Sequence, residues 1–353
     1  KRFGKLPFEQ LMAPAAEIAE RGSAVPIVVQ QKWQLASQVR ELASQPGFAQ
    51  TFLPTGRAPA VGERFAMPNA ARALKLIGAT KGEAFYRGEI GAAVAAWSQQ
   101  HGGALTAADL AAFQPEWVQP LAQDYRGHTL HEIPPNGQGI AAQMALGMLQ
   151  HFDLASLPVD GPECQHLQVE AMKLAFADVY RFVADGAHME GPAELLLDPA
   201  YLASRAKLID PKRAQHFGPG YGVKGGTIYL STADESGMMV SFIQSNYMGF
   251  GSGVVVPGYG ISMQNRGHGF VLDAVSANVV APRKRPFHTI IPAFLTKDGQ
   301  SVMSFGVMGA HMQPQGHVQT LLRMLLWKQH PQAACDAPRW RANDGLSVNV
   351  ERH

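Results

Sequence analysis

The spacing of apolar and polar positions divides the chain into a helical part and a β-rich part. Up to about residue 185, apolar side chains recur at helical spacing, as over residues 7–20, 89–101 and 166–183. After about residue 217 the pattern changes to short strands, at 227–232, 238–244, 253–256, 260–263, 289–295 and 301–307. Helical spacing returns over 315–329. This order predicts an α+β layered fold rather than a dinucleotide-binding alternation.

Local signals refine the helical part. Thr106 followed by Asp109 predicts a capped helix start. A strand is predicted over 128–133, and the loop 134–139 then opens a helix through 150. Glycine N–H groups in this loop could bind an anion, but we interpret it as a tight strand-to-helix connection. His166 and Glu170 share a helix face, and we expect a surface hydrogen bond there rather than a metal site.

Composition narrows the class of protein. With 353 residues, 46% of them hydrophobic and 16% charged, the chain can bury a large core. A net charge of +2 with interspersed signs gives no support to a nucleic-acid or membrane partner. Cys164 and Cys335 belong to no CxxC pair, so we expect two buried thiols, without a disulfide framework or zinc site. No signal peptide is recognised, which leaves cytoplasmic and periplasmic or secreted locations open.

After a search for known catalytic motifs, one candidate catalytic residue remains, a threonine. The stretch 249–253 lacks dinucleotide-loop spacing, and no phosphate-loop, zinc-protease or serine-hydrolase motif is present, so no cofactor or metal is expected. Thr227 stands at the head of a β-like run after Gly225 and Gly226. A glycine pair before a strand is by itself typical of a turn. If the Gly226–Thr227 bond is cut, however, Thr227 supplies both a hydroxyl nucleophile and an amine to activate it.

Further motifs in a fixed order turn this pattern into a family resemblance. With Thr227 they resemble the γ-glutamyltranspeptidases, which are N-terminal nucleophile hydrolases. The upstream motifs are Pro-Pro-Asn-Gly-Gln-Gly (134–139) and the helix start 166–176. Downstream come Asp-Glu-Ser-Gly-Met-Met-Val-Ser (234–241), Phe-Gly-Ser-Gly (250–253), Lys-Arg-Pro (284–286) and the glycines Gly306 and Gly309.

The resemblance implies a four-layer αββα sandwich made by a precursor that cleaves itself. Here it implies segments 1–226 and 227–353, which together form one structural domain. Compared with the family, the chain looks clipped at both ends, and the upstream stretch that carries an arginine for the substrate's α-carboxylate is missing. The implied partners are a small-molecule amide and an acceptor, either water or an amine. A homodimer or a dimer of processed heterodimers is left open.

Catalytic roles carry over to four positions. Thr227 matches the nucleophile. Ser245 takes the place of a second threonine whose hydroxyl holds the nucleophile, and serine can keep that bond. Gly309 and Ala310 match two glycines whose N–H groups form the oxyanion hole. Alanine keeps the N–H but narrows the allowed backbone.

Substrate contacts carry over with informative departures. The candidate substrate-binding residues are Tyr247, Asn265, Arg266, His288 and Thr289. His288 and Thr289 fall where the family has paired serines on the α-carboxylate. Tyr247, Arg266 and Gly269 replace an asparagine, a glutamine and an aspartate around the α-ammonium, so a free amine would lose its counter-charge and meet a cation. The alternative is that Arg266 points away and makes a structural ion pair.

Three functional hypotheses follow. The first is a self-processing γ-glutamyltransferase-like amidohydrolase that cleaves γ-glutamyl, glutathione-type amides through a threonine acyl-enzyme. The second keeps the chemistry but acts as an acylase on amine-free dicarboxylic monoamides, such as glutaryl cephalosporins. The third is an unprocessed or non-catalytic binding protein.

Overall fold

The computed structural model describes residues 2–217 and 226–352. Its helices are α1 (Phe8–Arg21), α2 (Ile27–Ser37), α3 (Arg40–Ala43), α4 (Phe48–Phe52), α5 (Pro68–Ala79), α6 (Glu83–Tyr86), α7 (Glu89–Gln100), α8 (Ala107–Ala112), α9 (Gly139–Leu149), α10 (Pro162–Phe182), α11 (Pro199–Ala206), α12 (Met312–Leu325) and α13 (Pro331–Asp336).

The strands are short and mostly follow one another in antiparallel pairs. They are β1 (Ser23–Ala24), β2 (Arg64–Phe65), β3 (Leu121–Tyr125), β4 (His128–Glu132), β5 (Gly226–Ala233), β6 (Met239–Tyr247), β7 (Val255–Val256), β8 (Ile261–Ser262), β9 (Ala293–Lys297), β10 (Gln300–Phe305), β11 (Trp340–Ala342) and β12 (Val348–Val350). This combination of helices and antiparallel strands confirms the predicted α+β class.

A four-stranded antiparallel sheet organises the larger of two compact units, Trp117–Tyr247 with Arg266–His353. Its strand order is β10-β9-β4-β3. Helix α9 packs against β3 and β4 and also contacts α10, α11 and α12. Every residue of α9 is buried, as expected for a helix that is apolar on all sides. Gly139 lets α9 approach the sheet, since a Cβ there would lie 2.7 Å from the Glu132 Cβ.

The hairpin β5–β6 lies beside β10 in the same unit. The hydroxyl groups of Ser231 and Ser304 are hydrogen-bonded across this contact, and Ser241 Oγ donates to the Phe305 carbonyl over 3.4 Å. Apolar side chains on the hairpin are exposed at Ile228, Leu230, Val240 and Phe242. Tyr229 of β5 also lies against Gly306, the residue that follows β10, so the first half of β5 is next to the segment after β10.

The smaller unit comprises Lys1–Glu116 and Met248–Asn265. Strand β1 pairs with β2, and β7 with β8. One apolar cluster surrounds Ile90, and a second, aromatic cluster surrounds Trp33. The predicted capping box is confirmed: Thr106 Oγ1 accepts from the Asp109 N–H, and the Asp109 carboxylate accepts from the Thr106 N–H.

Several local predictions are corrected. The strand predicted from residue 289 begins only at Ala293, because Pro292 has no N–H to donate. Helix α12 begins three positions earlier than predicted, at Met312, and α10 begins at Pro162. Cys164 is buried, but Cys335 is exposed.

The prediction of a surface hydrogen bond between His166 and Glu170 is wrong. Glu170 is 1% exposed and forms an ion pair with Lys173 at 2.6 Å. His166 Nε2 instead contacts the Asp210 carbonyl at 2.8 Å. Burial of the shared face explains the error, because a buried carboxylate needs a charged partner.

Two further observations concern the whole described chain. None of the helices that the structure describes is long and apolar enough to cross a bilayer.

Gly225, which precedes the predicted cleavage point by one residue, lies outside the described residues. The division at the Gly226–Thr227 bond stays a prediction.

Candidate active site

A β-bulge places Thr227 opposite Ser245. In the β5–β6 register Gly226 pairs with Tyr247 and Ile228 pairs with Gln244, so Thr227 faces two residues of β6. Bulges redirect a side chain out of the regular alternation and are frequent next to active sites. Thr227 is 9% exposed. The structure thus brings together the predicted nucleophile and the predicted second hydroxyl residue.

The end of β6 turns sharply at Tyr247. This residue has φ of +79°, a left-handed conformation that is unfavourable for a bulky side chain. Ser245 Oγ accepts a hydrogen bond from the Tyr247 N–H at 2.8 Å, which supports the turn. Ser245 therefore orders the end of the strand that faces the predicted nucleophile. Its predicted contact with the Thr227 hydroxyl stays a prediction.

The predicted oxyanion-hole residues form a left-handed turn before α12. Gly309 has φ of +115° and Ala310 has φ of +53°. Their carbonyl oxygens accept from the N–H groups of Met312 and Gln313, at 3.0 and 3.1 Å. Within residues 2–217 and 226–352, no protein acceptor is paired with the N–H of Gly309 or Ala310. Ala310 thus adopts a left-handed conformation despite its Cβ, at the cost of backbone strain.

Gln138 holds this turn from the other side. Its side chain is fully buried, and Nε2 donates to the carbonyls of Thr289 and Ala310, at 2.7 and 2.9 Å. Its backbone N–H donates to the His288 carbonyl at 3.0 Å. The loop predicted as a plain strand-to-helix connection does join β4 to α9, and it also connects two sets of predicted site residues. Sequence reasoning missed Gln138.

Arg266 points toward the predicted site residues rather than away from them. Its guanidinium donates to Thr289 Oγ1 at 3.4 Å and to the Ser245 carbonyl at 3.3 Å. It also lies 5.5 Å from the centre of the Tyr247 ring, within reach of a cation–π contact. Burial lowers the pKa of Arg266 to about 10, so the group remains charged at neutral pH.

His288 contributes no charge beside Arg266. Burial and, secondly, the charge of Arg266 lower the pKa of His288 to about 3. The imidazole is therefore neutral at physiological pH. Of the two residues predicted to hold a carboxylate, Thr289 is the one in contact with the buried cation, and it is 3% exposed. The arrangement of Arg266 with Thr289 suits an anionic group better than a cationic one.

The position of Gly269 is closed to larger residues. A Cβ built on Gly269 would lie 2.6 Å from the Phe287 carbonyl oxygen. Asn278 fixes this approach, because its Nδ2 donates to the Gly269 carbonyl at 2.7 Å and its Oδ1 accepts from the Phe287 N–H at 3.0 Å. The aspartate that the family resemblance places here therefore cannot be accommodated without moving the backbone.

Replacing Gly269 with alanine should lower the free energy of unfolding by about 1–3 kcal/mol, because the new methyl group overpacks against a backbone carbonyl. Gly267 belongs to the same short turn, and a Cβ there meets nothing within 4 Å. Gly267→Ala is thus the matched control and should change stability little. Denaturant unfolding of both variants measures the difference, and equal stability would contradict the close approach.

An apolar pocket adjoins these residues. Most of its walls are aromatic or aliphatic, and the polar atoms come from a few side chains; the described residues lining it are Tyr180, Val183, Tyr247, His268, Gly269, Phe270, Val271, Ser276, Asn278, Phe287 and His311. None of these lining residues is acidic. Tyr247 pairs with Gly226 in the sheet, and His311 follows Ala310. The pocket, called the acyl pocket below, is thus lined by the strand partner of Gly226 and by the residue that follows Ala310.

Asn265 is placed differently from the other predicted substrate residues. It ends the smaller unit, and its Oδ1 accepts from the Met248 N–H at 3.1 Å. Its contact with a substrate stays a prediction. No group of three or more histidine, cysteine, aspartate or glutamate side chains within the described ranges is arranged to hold a metal ion.

Sequence comparison decides the family. The sequence model described as Gamma-glutamyltranspeptidase matches residues 1–352. The chain belongs to the γ-glutamyltranspeptidase family. Its fold is that of this family, the four-layer αββα sandwich of N-terminal nucleophile hydrolases. A solved structure titled cephalosporin acylase from Bacillus halodurans superposes with a TM-score of 0.92 at 45% identity, over 99% of this chain and 64% of that one.

Curated relatives within the family carry different names. The chain is 35% identical to the glutathione hydrolase-like YwrD proenzyme of Bacillus subtilis, over 96% of this chain and 64% of the relative. It is 36% identical to the oxamate amidohydrolase proenzyme of Klebsiella pneumoniae, over 95% and 62%. It is 32% identical to the acylase ACY 1 proenzyme of a Pseudomonas species, over 98% and 62%. The chain therefore spans less than two thirds of the length of these relatives.

Proposed function

We propose that this protein is a self-processing amidohydrolase whose nucleophile is Thr227 and whose substrates are amides of acyl groups without a free α-amine. In processing, the Thr227 hydroxyl attacks the Gly226 carbonyl and the Gly226–Thr227 amide is exchanged for an ester. Water then hydrolyses this ester, which separates the two segments and leaves Thr227 as a free N-terminus. The bulge in β6 supports this role, since it sets two residues, Ser245 and Asn246, opposite Thr227. The proenzyme names of the three curated relatives agree with it.

The reaction then uses the new N-terminus. The α-amine of Thr227 takes the proton of its own hydroxyl, directly or through water, since an α-amine with a pKa of about 7.7–8.0 is partly neutral at physiological pH. The hydroxyl oxygen attacks the amide carbonyl, and the N–H groups of Gly309 and Ala310 stabilise the oxyanion. The amide C–N bond breaks, the proton passes to the leaving amine, and water or another amine releases the acyl group from Thr227.

Arg266, the buried cation next to Tyr247 of the acyl pocket, determines which acyl group is preferred. An α-ammonium placed near Arg266 would meet a like charge, and the described lining residues provide no acid to offset it. Two like charges about 5 Å apart repel by about 3 kcal/mol at an effective dielectric constant of about 20. An acyl group that keeps the carboxylate but lacks that amine is attracted instead. Relatives named as acylases are consistent with this preference.

Paired anilides test the preference. Wild type should hydrolyse glutaryl p-nitroanilide with a kcat/KM at least about a hundredfold above that for γ-glutamyl p-nitroanilide, the ratio that about 3 kcal/mol gives. Arg266→Gln should reduce this ratio by at least tenfold. Arg339→Gln is the control, because it removes a cation from an outlying ion pair with Glu351.

Each outcome discriminates between functions. A higher kcat/KM for the γ-glutamyl compound would favour the second candidate, a γ-glutamyl hydrolase or transferase. An equal response to Arg266→Gln and Arg339→Gln would show that Arg266 has been assigned the wrong role. Absence of hydrolysis of either compound by cleaved protein would support a binding protein.

A further inference from the structure

His311 lines the acyl pocket, and its hydrogen-bond partners indicate which of its ring nitrogens is protonated. Gln138 Nε2 donates to two carbonyl oxygens, so the orientation of this amide is fixed and its Oε1 must accept. Oε1 lies 3.2 Å from His311 Nδ1. Because two acceptors would repel at that distance, we assign the proton to Nδ1, which then donates to Oε1. The Tyr180 hydroxyl, 3.0 Å from the same nitrogen, is a second neighbour of Nδ1.

The other ring nitrogen of His311 is consequently an acceptor. With Nδ1 protonated, a neutral imidazole has its lone pair on Nε2. The ring lines the acyl pocket, while its Nδ1 edge is occupied by Gln138 and Tyr180. Burial and, to a smaller extent, the charge of Arg341 lower the pKa of His311 to about 4, so the ring is neutral at physiological pH. His311 thus brings the lone pair of its Nε2 to a pocket with largely apolar walls.

We propose that His311 Nε2 is a specificity-determining acceptor, which selects acyl groups that carry a hydroxyl or another uncharged hydrogen-bond donor on the carbon that bears the α-ammonium in γ-glutamyl compounds. His311 shares the pocket with Tyr247 and Gly269, the positions that the family resemblance places around that ammonium. This inference rests on the proposed function and makes its substrate class narrower.

The choice of an uncharged donor follows from the neighbours of His311. A bound acyl chain that is only hydrocarbon leaves Nε2 desolvated without a partner, which is unfavourable. A carboxylate on this carbon would place a second acceptor against Nε2. An ammonium would satisfy Nε2, but it would bring a charge into a pocket without an acidic lining residue in the described chain. A hydroxyl group satisfies the acceptor and adds no charge.

Three anilides that differ by one group test the inference. They are γ-linked glutaryl, 2-hydroxyglutaryl and γ-glutamyl p-nitroanilides, which carry hydrogen, hydroxyl and ammonium on the same carbon. Wild type should prefer the hydroxyl compound over glutaryl by about tenfold in kcat/KM, the size expected for one satisfied buried acceptor. His311→Phe should bring this ratio to about one. His311→Gln, which retains an acceptor, should keep part of the preference.

The controls separate this inference from the proposed function. Tyr180→Phe removes a neighbour of Nδ1 without removing Nε2, and it should keep the hydroxyl preference. Equal rates for hydroxyl and hydrogen in wild type, or an unchanged ratio in His311→Phe, would overturn the role of His311 even if glutaryl remained preferred over γ-glutamyl. A general preference for γ-glutamyl would overturn the proposed substrate class as well. Thermal unfolding establishes that each variant is folded.

Discussion

Replacing Thr227 with alanine should leave one uncleaved chain with no measurable amidase activity. The variant lacks the hydroxyl that attacks the Gly226 carbonyl, and without cleavage no α-amine is released to act as base. Stability should change little, because Thr227 lies near the start of β5, opposite the bulge in β6, and the lost group is one hydroxyl and one methyl. Denaturing gels with intact-mass analysis report cleavage, and anilide hydrolysis reports activity.

Thr227→Ser is the matched control for this prediction. Serine keeps both the hydroxyl and the potential N-terminal amine, so it should still be cleaved and should retain activity, at a reduced rate. An alanine variant that is cleaved like wild type, or that hydrolyses anilides at the wild-type rate, would show that the nucleophile is another residue.

Replacing Gln138 with methionine should lower kcat by at least about a hundredfold with little change in KM. The amide holds the Ala310 carbonyl, and its loss frees the turn whose N–H groups are predicted to meet the oxyanion. Removing a single oxyanion donor typically costs about 10²–10³ in kcat. Because the oxyanion exists only in the transition state and intermediates, binding of the ground state is affected less.

Gln143→Met is the matched control for Gln138→Met. Gln143 is also fully buried, in α9, and its Nε2 donates to the carbonyls of Leu121 and Leu130, at 2.8 and 3.1 Å. Both variants remove two hydrogen bonds to backbone carbonyls and should be destabilised by similar amounts, about 0.5–1.5 kcal/mol per bond. Below the unfolding transition only Gln138→Met should lose kcat. Equal losses of kcat in both variants would show that Gln138 affects activity only through stability.

The sequence predicted the elements around the site better than the contacts within it. The β-run at Thr227, the helix after the loop 134–139 and the α+β class were all accessible from periodicity. The strand that begins at Ala293 was misplaced because an apolar run around Pro292 has strand-like composition but no complete set of donors. Similarly, α10 was predicted to begin late because its first turn is polar on the exposed side.

The long-range contacts of the site had no sequence signal. Gln138 and Ala310 are 172 positions apart, and a glutamine in a glycine-rich loop is typical of a turn. The one cue that could have drawn attention to Gln138 is a polar residue just before a largely apolar helix, since a buried polar side chain needs a hydrogen-bond partner. The crowding at Gly269 depends on Asn278 joining two loops, so only coordinates reveal that an aspartate would not fit there.

Trapping the acyl-enzyme tests the central claim most directly. Full-length protein mixed with glutaryl p-nitroanilide, quenched in acid within the first turnover and digested, should yield a peptide whose N-terminus is Thr227 and which carries one glutaryl group. Peptides from elsewhere in the chain should remain unmodified. A glutaryl group on another residue, or full activity in protein whose Gly226–Thr227 bond is intact, would contradict the account.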